Sequence, residues 1–304
     1  MYYFKRILAM IPLVLLISLM AFLLVRVAPG GPFDKERAPA SPEVERALNA
    51  KYRLDQPLWK QYFLYLGDLA HGDLGPSMKY RHHSVSDIIV QGLPTTLALG
   101  GLSFMFALGV GIPLGFITAM RKGKWQDYAG SVVSLVGICV PAFVIGPLLV
   151  MGFAIHWQWF PVGLWGTPMH LVLPTTALGL FYAARVSRLM REGMLNTLNE
   201  GFIMTARSKG VSEKNILLKH AFKPAVLPVV SYMGPMLADL LTGSFVIENL
   251  FQIPGIGVFM VNSSLNKDYT MICGLVILYA TLLLVLNLLV DFIYSTLDPQ
   301  VKYE

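Results

Sequence analysis

The chain has 304 residues, of which 55% are hydrophobic and only 14% charged, with a formal net charge of +6. So few charges exclude an ordinary soluble domain. The basic residues sit in short clusters between apolar runs and form no single stripe, which argues against nucleic-acid binding and for a membrane topology. Cys139 and Cys273 both lie in apolar runs and read as buried thiols, with no disulfide or zinc spacing.

In chain order, six runs are long enough to cross roughly 30 Å of hydrocarbon, which takes about 20 helical residues. They fall near 7–25, 95–120, 129–155, 171–189, 225–247 and 269–293. Pro12, Pro113, Pro141, Pro147, Pro174, Pro228 and Pro235 interrupt them. Membrane helices tolerate such kinks where neighbours or water satisfy the freed carbonyls. The first run follows Lys5 and Arg6, but Arg26 stands where a small residue would precede a cut at Ala28. An uncleaved span is therefore expected.

The Lys/Arg bias sets the expected orientation. With the N-terminus inside, the inner segments hold Lys5 and Arg6, then Arg121, Lys122 and Lys124, then eight basic residues from Arg185 to Lys223, and Lys302 in the tail. The short outer loops at 156–170 and 248–268 hold only Lys267. Both termini are thus expected in the cytoplasm.

The long loop after the first run balances eight Lys/Arg against eight Asp/Glu. "SPEVERALNAKY" predicts a helix with Ser41 as N-cap and Pro42 at its first position. "PLWKQYFLYLGDLAHG" predicts a second amphipathic helix ending near Gly72. Their apolar faces need a partner, either the chain's own spans or another protein. The expected organisation is a first segment and span at 1–27, a largely helical extracytoplasmic insertion at 28–92, and a five-helix core at 93–304 containing a cytoplasmic loop at 190–224.

That loop carries "TARSKGVSEKNILLKHAFKPAVLP". Residues 199–209 predict a helix with Phe202, Ile203 and Ala206 on one face and Glu200, Arg207 and Ser208 elsewhere. Gly210 stops it as a left-handed cap. Ser212 can cap a second helix, with Leu217, Leu218, Ala221, Phe222 and Ala225 on one face. Two uses fit this helix–glycine–helix. One is an interfacial linker whose lysines meet anionic headgroups. The other is a docking helix that enters a groove on a soluble partner, which the glycine turn favours.

The stretch resembles the cytoplasmic loop of permease subunits in binding-protein-dependent ABC importers, whose pattern is Glu-Ala-Ala, three residues, Gly, nine residues and Ile-x-Leu-Pro. Ala206 and Gly210 match. Met204 and Thr205 replace Glu-Ala, and Pro224 stands one residue late. "TARSKG", "APGGP", "LDQP", "GDLGPS", "ENLFQIPGIG" and "LDP" resemble the peptide-importer branch in the family's order over nearly the whole chain. The closest resemblance is to B-type permease subunits of oligopeptide importers. It implies an all-α polytopic protein of the bacterial inner membrane, with six transmembrane helices in the type I ABC importer architecture. It also implies a non-catalytic subunit that pairs with a second, homologous permease. Two cytoplasmic ATPases would carry the ATP and Mg, and an extracytoplasmic binding protein would deliver peptide. Glu200, Phe202, Ile203, Thr205, Ala206, Arg207, Lys209 and Gly210 would then form the ATPase-coupling loop. The chain has no GxxxxGK[ST], so no ATP site of its own is expected.

Asp239 lies inside the fifth run, where an ionisable group is costly unless it faces water or a partner. With Thr242 and Asn287 it is a candidate for the translocation path; the other readings pair Asp239 with the second permease and make Asn287, like Asp291, structural. Asp291 is expected at the cytoplasmic interface. Glu248, Pro254, Gly255 and Gly257 form a candidate extracytoplasmic gate region, an outer re-entrant or tight turn. The six histidines show no paired ligand spacing. Rival readings are a dipeptide, glutathione or nickel-chelate importer of the same permease pattern, a secondary transporter, for which internal repeats are not evident, and a membrane enzyme, for which no catalytic constellation appears.

Overall fold

The computed structural model describes residues 2–27, 42–80, 82–242 and 244–297. Ser41, "APGGP", the end of "LDP" and the side chain of Asp291 lie outside the described residues. In chain order the helices are α1 (Tyr2–Val27), α2 (Pro42–Lys51), α3 (Leu58–Ala70), α4 (Val85–Met120), α5 (Trp125–Cys139), α6 (Ala142–Leu149, continuing as a π-helical turn Val150–His156), α7 (Pro168–Leu198) and α8 (Gly201–Ser208). Then come α9 (Glu213–Asn215, continuing as a π-helical segment Ile216–Ala221), α10 (Phe222–Ala225), α11 (Leu227–Thr242), α12 (Phe245–Leu250), α13 (Ile256–Asn266) and α14 (Tyr269–Leu297). The chain divides into two compact units, Met1–Pro94 with Gly255–Leu284, and Thr95–Pro254 with Val285–Glu304.

In the first unit, α3 packs its inner face on α1. Phe22 and Tyr62 meet edge to face at 5.2 Å, and Ser18 Oγ lies 3.0 Å from the Tyr62 hydroxyl. Arg26 Nε donates to Gln61 Oε1 at 2.9 Å while its guanidinium sits 3.5 Å from the Phe22 ring centroid. The chain's own first helix thus covers one face of this amphipathic helix; Trp59 and Phe63 on the other remain exposed. α4 starts well ahead of the predicted run. Ser84 and Asp87 form a reciprocal capping box, each backbone N–H donating to the other's side chain at 3.1 Å.

Asp268 is the buckle of this unit. Lys267 closes α13 in the left-handed region (φ 57°), and Asp268 follows at the start of α14 with 1% of its surface exposed. Its carboxylate accepts from Ser77 Oγ (2.5 Å), Met78 N (3.2 Å), Lys79 N (3.1 Å), Thr270 Oγ1 (3.0 Å) and Met271 N (3.1 Å). One carboxylate therefore caps α14 and holds the 77–79 loop of the insertion. Burial, and then the nearby Asp268, push the Tyr52 phenol above its usual range, so it stays protonated and donates to the Ser77 carbonyl at 3.1 Å.

In the second unit α5, α6, α10, α11 and α12 all meet α7. Pro168 at its first position presets the helical φ. Its ridge Gly179–Ala183–Ser187 faces the α4 ridge Ser103–Ala107–Gly111–Gly115. A Cβ on Gly111 would stand 2.6 Å from the Ala183 carbonyl, and one on Gly115 would meet the Ser187 carbonyl and lie 2.7 Å from Met190 Cβ. Gly179 likewise lies against the Ser103 carbonyl, and Gly137 of α5 against Ala184. Small residues every fourth position let helix backbones approach closely in a membrane.

The predicted run at 129–155, expected to be interrupted by Pro141 and Pro147, is broken more sharply than by a kink. It is two helices, α5 and α6, bent by 108°. Pro141 lacks a donor and forces Val140 into extended backbone (ψ 119°), which ends α5; Pro141 then opens α6. Cys139, expected buried, is exposed at this break, whereas Cys273 is buried.

Among the described residues, four helices are long and apolar enough to cross a membrane, or five if the bent pair counts as one span. The predicted fourth run lies within α7, which carries Arg185, Arg188 and Arg191 and is screened by protein on its buried side.

Replacing Asp268 by Ala removes the acceptor shared by Ser77, Met78, Lys79, Thr270 and Met271, of which Thr270 and Lys79 retain a second acceptor in the Pro76 carbonyl and Ser77 Oγ. The expected cost is roughly 2–4 kcal/mol, read as a lower thermal unfolding midpoint in detergent. Asp268→Asn, which keeps an acceptor oxygen, should lose less. An unchanged melting curve for Asp268→Ala would contradict the buckle.

Candidate coupling loop and polar helix face

α7 stops at Asn199, and Glu200 in extended backbone (ψ 148°) opens α8, so the predicted helix at 199–209 starts two residues later. α8 buries Ile203 and Ala206. It ends in a Schellman motif: the Val211 N–H donates to the Ala206 carbonyl at 3.2 Å and the Gly210 N–H to the Arg207 carbonyl at 2.9 Å. Gly210 has φ +77°, the left-handed region expected of it. Across the turn, Arg207 Nε donates to Glu213 Oε1 at 2.8 Å. This exposed pair adds orientation and little stability.

Two face assignments change. Phe202, expected beside Ile203 and Ala206, is 48% exposed, next to Met204 at 58%. In the second helix, the π-helical segment Ile216–Ala221 shifts the phase. Ile216, Ala221 and Ala225 are buried, whereas Leu218, expected inside, is exposed. Ser212 occupies the N-cap position through its backbone; its side chain makes no capping bond. Glu200, Thr205, Arg207 and Lys209 are exposed, and Thr205 Oγ1 donates back to the Gly201 carbonyl. The loop thus presents Phe202, Met204 and Leu218 within a polar, largely basic rim.

The loop is tied to the bundle at both ends. Before it, Arg191 clamps Asp127 of α5 in a bidentate pair (2.7 and 3.0 Å), and Gly123 N donates to the same carboxylate at 2.9 Å. At its exit, the Ala225 carbonyl lies against Gly193 so closely that no Cβ would fit there.

Asp239 and Thr242 lie one turn apart on α11. The Thr242 hydroxyl is committed to the Ala238 carbonyl at 2.9 Å, and Asp239 is exposed. Asn287 is half-buried on a different element, α14. The exposed stripe of α11 is Pro228, Ser231, Pro235 and Asp239; that of α7 is Arg185, Arg188, Glu192 and Asn196. Neither stripe includes a large apolar side chain. By contrast α5 exposes Val132, Val133, Leu135 and Val136, and α4 exposes Leu97, Leu102, Met105, Val110 and Ile117. The second face suits lipid and the first does not. Tyr182 and Tyr232, within electrostatic reach of Asp239, were missed in the sequence, and Arg185 was read only as part of the inner basic cluster; the signal was an arginine one turn from a tyrosine inside an apolar run.

The 248–257 segment runs from the end of α12 through a turn after Leu250 into the start of α13. Glu248 is fully buried and accepts from Ser244 Oγ at 2.6 Å, and its own carbonyl accepts from Ile253 N at 2.8 Å. The Phe251 carbonyl accepts from Leu164 N at 2.7 Å. Pro254 is exposed, and Gly255 and Gly257 are buried at the start of α13.

A Cβ at Gly210 would hold a left-handed backbone that costs roughly 1–2 kcal/mol outside glycine. Gly210→Ala should therefore speed amide exchange at Gly210 and Val211 several-fold while leaving α7 unchanged. Unaltered exchange would mean the turn is not set by this motif.

Residues 111–303 match the model of the "Binding-protein-dependent transport system inner membrane component" family. The chain is 43% identical over 302 residues to the oligopeptide transport system permease protein OppB of Haemophilus influenzae, covering 99% of this chain and 98% of that one. It is 42% identical to OppB of Escherichia coli K12 over 98% of both, and 40% identical to the dipeptide transport system permease protein DppB of Bacillus subtilis over 99% and 97%. Among solved structures, inward-facing conformations of the MetNI methionine ABC transporter match with a TM-score of 0.58 at 18% identity, covering 69% of this chain and 96% of that one. A crystal structure of an amino acid ABC transporter matches at 0.52. These likenesses give the fold. A helical bundle with a glycine-turned loop, matched over its full length by permeases, leaves one assignment: the chain belongs to the binding-protein-dependent transport system inner membrane components, the non-catalytic permease subunits of ABC importers.

Proposed function

We propose that this chain forms one half of the translocation path of an ATP-driven oligopeptide importer and couples that path to cytoplasmic ATPases. The observation that carries this is the α8 loop. It is a short helix closed by a Schellman glycine, packed by its inner side on the Ile216–Ala221 segment and exposing Phe202 and Met204 outward. Exposed apolar side chains on a rigid helix are what a groove on a partner recognises. The loop formed by Glu200, Phe202, Ile203, Thr205, Ala206, Arg207, Lys209 and Gly210 is read as the coupling element within residues 190–224. Ile203 and Ala206 fasten it, and Phe202, Arg207 and Lys209 face the ATPase.

The remaining parts follow from that role. A second, homologous permease completes the path, two ATPases bind ATP and Mg below, and a peptide-binding protein docks outside. Both termini face the cytoplasm, as the distribution of Lys and Arg supports. The polar face of α7 and α11, with Asp239 and Thr242, lines the path, and Asn287 of α14 is assigned to it as well. The segment from the buried Glu248 through the exposed Pro254, with Gly255 and Gly257 at the start of α13, serves as the outer gate region. The insertion at 28–92 forms the extracytoplasmic face. ATP-driven closure of the ATPases pulls the loops and tilts the bundle between two states. The 40% identity to a dipeptide permease favours one second reading, a dipeptide importer of the same design.

The test is co-purification and peptide-stimulated ATP hydrolysis of the full importer in nanodiscs. Phe202→Asp and Gly210→Pro should leave the permease pair assembled yet lower stimulation at least tenfold. Retained stimulation in both variants would refute the coupling role. Uptake of dipeptides in preference to longer peptides would move the assignment to the second reading.

A further inference from the structure

The exposed face shared by α7 and α11 carries two opposite charges flanked by tyrosines. The guanidinium of Arg185 sits 5.0 Å from the Tyr232 ring centroid. Asp239 lies within electrostatic reach of both Tyr182 and Tyr232. The two helices run antiparallel here, since Gly193 meets Ala225, Arg185 meets Tyr232 and Tyr182 approaches Asp239. Asp239 is two turns beyond Tyr232, roughly 10 Å along the helix. The carboxylate and the guanidinium are thus displaced along the face by about the length of three extended residues.

Both charges are exposed, and neither faces a lipid-suited surface. A lone carboxylate would favour cations and a lone guanidinium anions. A displaced pair of opposite signs favours a molecule whose two ends carry opposite charges. The Tyr182 hydroxyl can donate to or accept from main-chain amides whatever the side chains are, while Tyr232, its hydroxyl enclosed, holds the Arg185 guanidinium over its ring.

We propose that Asp239, Tyr182, Tyr232 and Arg185 form a substrate subsite that reads the two termini of a short zwitterionic peptide. Asp239 takes the ammonium group and Arg185 the carboxylate. Selection then rests on the peptide ends and backbone, not on side-chain identity. This rests on the reading of the α7–α11 face as a wall of the path.

The experiment uses the assembled, nucleotide-free importer without binding protein, in a Cys139→Ser background. Ser231→Cys, on the same stripe, reports the path through labelling by a charged, water-soluble thiol reagent. The readout is the peptide concentration that halves the labelling rate, for trialanine, N-acetyl-trialanine and trialanine amide. Asp239→Asn should raise that concentration about tenfold for trialanine and its amide but not for the acetylated peptide. Arg185→Gln should do so for trialanine and the acetylated peptide but not for the amide. If Ser231→Cys is labelled and protected but both variants weaken all three peptides equally, or none, the termini are not read here and the path reading survives. If trialanine never protects a labelled Ser231→Cys, the subsite is overturned. If Ser231→Cys cannot be labelled, the path reading fails and the subsite with it. A matching loss of permease–permease assembly in Asp239→Asn would instead assign the carboxylate to the subunit interface.

Discussion

The close approach of α4 and α7 is the constraint on which the second unit depends. The ridge Ser103–Ala107–Gly111–Gly115 meets Gly179–Ala183–Ser187, and backbone lies against backbone because no side chain intervenes. In a bilayer, lipid tails are as apolar as leucine, so burying leucine between helices gains little; contact area at short range gains more. With α4 seated on one side, α5, α6 and α11 fill the others, and α7 becomes the most enclosed helix in the unit. The polar stripe it shows on its remaining side is then free to serve something other than packing.

Much of this was legible in the sequence, for identifiable reasons. Apolar runs gave the long helices, because hydrocarbon thickness fixes their length. Gly210 gave the end of α8, because a left-handed residue at that position is a local requirement. The amphipathic pattern of α3 gave a helix but not its partner; Ser18, Phe22 and Arg26 receive it, and nothing local specifies a contact forty residues away. The exposed and buried sides of the loop were half right. Ile203 and Ala206 follow simple helical phase, whereas Phe202 turns outward and the π-helical segment at Ile216–Ala221 shifts the register for Leu218. Such a shift comes from tertiary packing and leaves no periodic trace. The 108° bend had a signal in Pro141, one proline among several; the others kink or are absorbed, and only the packing decides which breaks the helix.

Hydropathy also misleads in an instructive way at α7. A helix wrapped by its own protein need not be apolar on every side, so the central element of the unit is less lipid-like than its neighbours. Arginines at 185, 188 and 191 therefore do not argue against a transmembrane course. Their roles diverge: Arg191 is clamped by Asp127, while Arg185 and Arg188 remain on the open face.

The missing Cβ at Gly193 has a mechanical consequence. With the Ala225 carbonyl seated directly on the α7 backbone, the loop exit and the lower part of α7 cannot slide past each other without breaking contact. At its entrance the loop leaves the end of that same helix through Asn199 and the extended Glu200. Entrance and exit are thus anchored to one rod, and the segment between them behaves as a handle, not as a tether. On the proposed coupling role, a displacement of the handle reaches α7 through the contact of Ala225 with Gly193, and eight residues up that rod, roughly 12 Å, stands Arg185. A push on one surface is then felt at a charge on another through backbone seated on backbone.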